Sequence, residues 1–289
     1  MGTLTLEKLI KDAENRSQHI YEVIKEIEAR EQGISIKMLM EKMGQHLKVM
    51  KDALVQGTTT HITSLSGITG GEGFRLWNKA QESLSGDVIA KAAARAMAVA
   101  NVNASMGKIV AAPTAGSCGI IPGVIITLAE KLSSTDDDLI NALFTAGAVG
   151  KITALTATLA GAEGGCQAEC GSATAMAAAA AVEMSGGSPR QVGHAVAIAL
   201  KCVMGLVCDP VAGLVEVPCI KRNGMGTAHA ILAADMAMSG IQSVIPPDEV
   251  IKALGEVGRA IPEQFKETSL GGIATTPTGE KIRKEIFGG

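Results

Sequence analysis

The stretch GGCQAECGSATAMAAAAAVEM, from Gly164 to Met184, sets two cysteines, Cys166 and Cys170, one helical turn apart in a run dominated by glycine and alanine. Three readings compete for it: a metal site, a redox pair, or two small apolar fillers where helices pack closely. Composition favours close-packed helices for the chain as a whole. Hydrophobic residues make up 47% of the 289, yet aromatics only 2%, so core volume must come from Ala, Val, Ile, Leu and Met together with 34 glycines. Side chains of this size suit helices at short interaxial distance better than a β-sandwich, whose strands favour aromatic and β-branched residues.

Periodicity agrees. Leu6, Leu9, Ile10, Ala13, Ile20, Val23, Ile24 and Ile27 recur at helical spacing, so one helix is expected to run to Gly33. A second begins after Ser35, with Ile36, Leu39, Met43, Leu47, Met50 and Leu54 on one face. GTTTHITSLSGITGGEGF (57–74) then breaks the pattern with hydroxyls and glycines, and AAPTAGSCGIIPGV (111–124) is a second break leading into an apolar helix. Such a loop is either a solvated connector or a way of presenting backbone N–H groups and hydroxyls to a carboxylate. Thr135 with three aspartates behind it, and Ser188-Pro189, are helix starts. The expected fold is all-α: one domain over 1–289, with an N-terminal helical pair (1–56) and a core (57–289) whose loops converge.

Net charge is −3, and no Lys/Arg cluster with interleaved aromatics appears, which argues against nucleic acid. The N-terminal MGTLTLEKLIKDAENR has no apolar signal region, and AVAIALKCVMGLV is broken by Lys201, so a cytoplasmic protein without a membrane span is expected. Six cysteines there read as thiols, metal ligands or catalytic groups. A radical-SAM motif would need cysteine at position 173, which is Ala173. No histidine adjoins any cysteine, and the five histidines (19, 46, 61, 194, 229) are dispersed, unlike a zinc site. Cys208 and Cys219 share one loop, GLVCDPVAGLVEVPCIKRN, beside Pro210 and Pro218, and Cys166 has its own Gly-rich turn. Cys118, Cys170 and Cys202 read as packed apolar thiols. On spacing alone, ligands and inert buried thiols stay equally open.

PTAGS (113–117), GAEGGCQAE (161–169), CDPVAGLVEVPCIKRN (208–223), ETSLGGIATTPTG (267–279) and SLSGITGG (64–71) together resemble the alpha chain of iron–sulfur-dependent L-serine dehydratase. The resemblance covers essentially the whole chain. It implies a helical catalytic domain with a [4Fe–4S] cluster on Cys166, Cys208 and Cys219, one iron left open to L-serine, and no pyridoxal phosphate; Lys108, Lys151 and Lys201 have no Schiff-base setting. It also implies substrate contacts in the two hydroxyl-rich loops, at Ser64, Ser66, Gly67, Thr69, Gly70, Thr114, Gly116 and Ser117. Relatives carry a separate β domain with a histidine motif that THITS (60–64) does not match, so the catalytic base is expected on a beta chain. Single-chain relatives end on a cysteine; here ATTPTGEKIRKEIFGG (274–289) has none. Other expectations are a related lyase for L-threonine or, as a desulfidase, L-cysteine; an electron carrier with a fully ligated cluster; and a scaffold without iron.

Overall fold

The computed structural model describes residues 4–288, and among them there is no strand. The helices are α1 (Leu6–Arg16), α2 (Ile20–Gln32), α3 (Ile36–Thr59), α4 (Glu72–Trp77), α5 (Asp87–Ala104), α6 (Ile120–Leu132), α7 (Asp136–Thr156), α8 (Gly161–Gly164), α9 (Ser172–Met184), α10 (Pro189–Lys201), α11 (Cys219–Met238), α12 (Pro247–Ala260) and α13 (Pro277–Phe287). They form a single all-α domain, as composition and periodicity require.

The opening stretch is its axis. Every residue of α9 from Ser172 to Glu183 is buried, and α6, α7, α10 and α11 pack around it. A helix apolar all round has no outward face and belongs at a centre. Its alanines let the neighbours approach closely. The same device recurs at α5: Gly57 of α3 and Gly73 of α4 lie against the backbone of Ala98, where a Cβ on either would overlap main-chain atoms.

The helix starts at Thr135 and Ser188 form as expected. Thr135 Oγ1 accepts the Asp138 N–H, and Asp138 accepts the Thr135 N–H at 2.7 Å. Ser188 Oγ accepts the Gln191 N–H, and Gln191 Oε1 accepts the Ser188 N–H at 2.8 Å.

The N-terminal region departs from its expected form. The single helix expected over 6–33 is two, so the pair is three helices. Ser17 is left-handed (φ 52°), and the Gln18 N–H closes α1 on the Ala13 carbonyl at 2.9 Å. Glu22 then accepts the His19 N–H at 2.7 Å and starts α2. The break is silent in the apolar pattern because Ala13 and Ile20 are seven residues apart, two turns, so the stripe resumes in phase. The expected boundary at 56–57 falls inside α3, which packs on α5 and is continuous with the core.

The stretches Ala115–Leu132 and Asp136–Thr156 are long and apolar enough to cross a membrane, but 72% and 67% of their windows are buried inside the fold. All six cysteines are free. Cys118 packs in a small cluster with Ala53, Leu54, Val99 and Val102, and burial pushes its thiol up to about 12. Cys202 does not pack as expected. It caps the C-terminal end of α10 and is exposed, because α10 ends there and the chain turns away from the core.

Gly57→Ala gains helix propensity but forces a methyl into the Ala98 backbone, and overpacking costs about 1–3 kcal/mol. Gly147 is exposed on α7 with open space at its Cβ position, so Gly147→Ala should stabilise by about 0.5–1 kcal/mol. Thermal melting of the two variants should move in opposite directions from the wild-type protein.

Candidate active site

Four of the six cysteines gather at one buried place. Cys166 follows the positive-φ turn at Gly165 and precedes a wide π-type turn, Gln167–Gly171, that leads into α9. Turns of this type recur at functional sites. Hydrogen bonds from Cys170 and from Cys208 hold Cys166 well below the usual thiol range, with help from the Arg222 guanidinium. Cys170 therefore lies against Cys166, not only among apolar side chains. The same contact with Cys166, followed by burial, raises both Cys170 and Cys208. Cys219 opens α11 from a different direction; burial, then the charge of Cys166, pushes it up to about 12.

Two carboxylates join this sulfur group. Ligand atoms of Glu169, Cys208 and Glu267 lie within 4.8 Å of one another, and the Cys208 thiol is 3.7 Å from Glu169 Oε2. Burial pushes Glu169 up to about 7, while a hydrogen bond from Thr114 acts in the opposite direction. Gly161 is what gives this carboxylate room: a Cβ there would overlap Glu169 and stand 3.3 Å from the Cys208 sulfur. Thiolate-rich sets of this kind suit soft metals, so the group is a possible metal site.

Buried polar side chains pin each cysteine-bearing segment. Gln167 donates to the Leu254 carbonyl at 3.0 Å and accepts the Gly205 N–H at 2.9 Å, fixing the turn after Cys166. Asn223 donates to the carbonyls of Gly116 (2.7 Å) and Cys219 (2.9 Å) and accepts the Gly119 N–H (2.9 Å). It thereby staples the PTAGS loop to the start of α11. Arg222 bonds the Val207 carbonyl and Asp209, both at 2.9 Å, and Asp209 accepts the Ile273 N–H at 2.9 Å. Around Cys208 itself, the Cys208 N–H donates to Phe265 O and the Glu267 N–H to Cys208 O, both at 2.8 Å. The ETSLGG segment is thus a strap across the Cys208 loop.

Both hydroxyl-rich loops reach this region. Thr114 and Ser117 hydroxyls lie 3.2 Å apart at the start of a short 3₁₀ turn, and Gly116 sits between Glu169 Oε1 and Val215. In the other loop, Ser66 and Thr69 hydroxyls both donate to Glu216 Oε2, at 2.8 and 2.7 Å, and Ser64 Oγ is 3.2 Å from Ser66 Oγ. Gly67 and Gly70 form the turn, with Gly67 at φ 75° and Gly70 bridged to Thr63. The motifs at 161–169 and 208–223 also hold Glu169, Asp209, Glu216, Arg222 and Asn223, whose roles emerge only from these contacts. For Glu169, Asp209 and Glu216 the available signal is a lone acid inside an apolar, Gly/Pro-rich stretch.

Known proteins resemble this chain over most of its length. The family described as Serine dehydratase alpha chain matches residues 15–274. A probable L-serine dehydratase, alpha chain, from Bacillus subtilis (strain 168) is 52% identical over 253 residues, 87% of this chain and 84% of that protein. The L-serine dehydratase, alpha chain, of Peptoniphilus asaccharolyticus is 42% identical over 285 residues, 98% of both chains. L-serine dehydratase 1 of Escherichia coli (strain K12) is 43% identical over 181 residues, 62% of this chain but only 40% of the longer protein. Matches of this length and identity place the chain, whose fold gathers four thiols at one site, in the serine dehydratase alpha-chain family.

Proposed function

We propose that this chain is the cluster-bearing subunit of an enzyme that deaminates L-serine to pyruvate and ammonia, with a [4Fe–4S] cluster held by Cys166, Cys208 and Cys219. The observation that carries this reading is the gathering of these thiols, from three separate segments, beside the Arg222 guanidinium. The donor set fits the group: it is buried and sulfur-rich, and a fixed cation offsets the anionic thiolates. When bound there through three cysteines, the cluster supplies an open iron that acts as a Lewis acid toward the β-hydroxyl of serine.

The chain's own residues prepare the rest of the site. Among the described residues, the N–H groups of Ala115 and Gly116 take no protein partner, and they are the donors offered to the substrate carboxylate. Burial of Cys166, Cys208 and Glu169 keeps bulk water from the reacting centre. Loss of the α-proton and of the β-hydroxyl leaves aminoacrylate, which tautomerises to the imine and hydrolyses to pyruvate and ammonia.

The base that takes the α-proton belongs, in this reading, to a beta chain. His19 pairs with Glu183, His194 accepts the Ser243 N–H, and His61 lies against Arg75, so these three are engaged elsewhere. The words "alpha chain" in two relatives' names, and the longer E. coli relative, support a second polypeptide. A reducing compartment such as the cytoplasm suits six free cysteines.

Anaerobic reconstitution of Cys166→Ala, Cys208→Ala and Cys219→Ala should give protein without a stable cluster, whereas Cys170→Ala keeps it. Iron and sulfide analysis reads the result, and a full complement in any of the first three would overturn the ligand set. The loaded chain alone should turn serine over about 10²–10⁴-fold more slowly than its mixture with a beta chain, the usual contribution of a positioned base. Full activity from the isolated chain would place the base within it.

A further inference from the structure

Hydrogen-bond accounting in the SLSGITGG loop does not suit a carboxylate. A serine or threonine hydroxyl has one proton to donate. Ser66 and Thr69 give theirs to Glu216 Oε2, and Ser66 already accepts the Ile68 N–H at 3.1 Å. These two side chains have no donor left for a substrate carboxylate. What the loop holds instead is a buried carboxylate and hydroxyl oxygens, an acceptor set.

Among the described residues, Glu216 and Glu169 are the two buried acids without a cationic partner. The buried carboxylates among the described residues are Glu169, Glu183, Asp209 and Glu216. Asp209 has Arg222, Glu183 has His19, and Glu169 lies against the Cys208 sulfur. Glu216, only 5% exposed, has no cationic partner, and its Oε1 takes no hydrogen bond among the described residues. Oε1 is thus the one oxygen of a largely buried carboxylate that is left open, where a positive group can reach it. Glu216 stands three residues before Cys219, and its neighbour Val215 packs on Gly116 of the PTAGS loop, so it borders the reacting centre.

We infer that Glu216, held by Ser66 and Thr69, is the residue that recognises the α-ammonium group of the amino-acid substrate. The inference rests on the serine-deaminating reading and assigns the two ends of the substrate to different loops. The carboxylate goes to Thr114–Ser117, and the ammonium goes to Glu216 Oε1 with the Thr69 hydroxyl oxygen. A charge-assisted hydrogen bond of this kind is about twice as strong as a neutral one. It selects amino acids over hydroxy acids of the same shape.

The test uses the cluster-loaded protein with its beta chain. Glu216→Gln keeps an oxygen to accept both hydroxyls but removes the charge. KM for L-serine should rise about tenfold or more while kcat changes less, the split expected when ground-state binding is lost. The L-serine concentration giving half the change in the visible spectrum of the loaded protein should rise by the same factor. Glu216→Asp, which restores the charge, should recover most of the affinity. Iron content should equal that of the wild-type protein in both variants. An unchanged half-saturation in Glu216→Gln would overturn the assignment, as would equal losses in the Gln and Asp variants. Loss of iron would also overturn it, by making the carboxylate a brace for Cys219. A fully loaded wild-type complex that leaves serine untouched would remove the deaminase reading itself, and the assignment with it.

Discussion

Burial of α9 on every side is the constraint from which the rest of the molecule follows. A helix whose surface is almost entirely methyl groups gains little from any one neighbour, so it must be surrounded, and α6, α7, α10 and α11 do this. Close packing around it brings the starts of α6 and α11 together, as Asn223 bonding Gly116, Gly119 and Cys219 makes plain. Helix starts carry free N–H groups and the positive end of the macrodipole. A place where two of them meet favours anions, whether thiolates or a substrate carboxylate.

The loops that fill this place are partly buried, and their buried backbone must find partners. Each loop meets the demand through one polar side chain that reaches across to another segment: Gln167, Asn223, Asp209 with Arg222, and Glu216. These residues do more than satisfy orphan groups. They fix thiols from distant parts of the chain in one register, and the strap over residues 265–273 completes the enclosure around Cys208.

Electrostatics within the thiol group is shared. Cys166 is the favoured thiolate because Cys170 and Cys208 donate to it and Arg222 faces it, and the same contacts keep the donors protonated. Metal binding to such a set must displace protons, which couples occupancy of the site to pH.

The sequence by itself determined the helical class, the positions of the two hydroxyl-rich loops, and the helix starts at Thr135 and Ser188. These depend on local chemistry: side-chain size, periodicity and capping act over a few residues. It could not show the break at Ser17, because the apolar stripe resumes in phase seven residues on. Nor could it show that Cys202 faces solvent while Cys170 meets Cys166, since both are cysteines in alanine-rich surroundings. Only the tertiary structure decided the partners of Glu216, Asp209 and Asn223. A carboxylate or amide in a loop can bond to anything within reach, and reach was settled by how tightly the helices around α9 close.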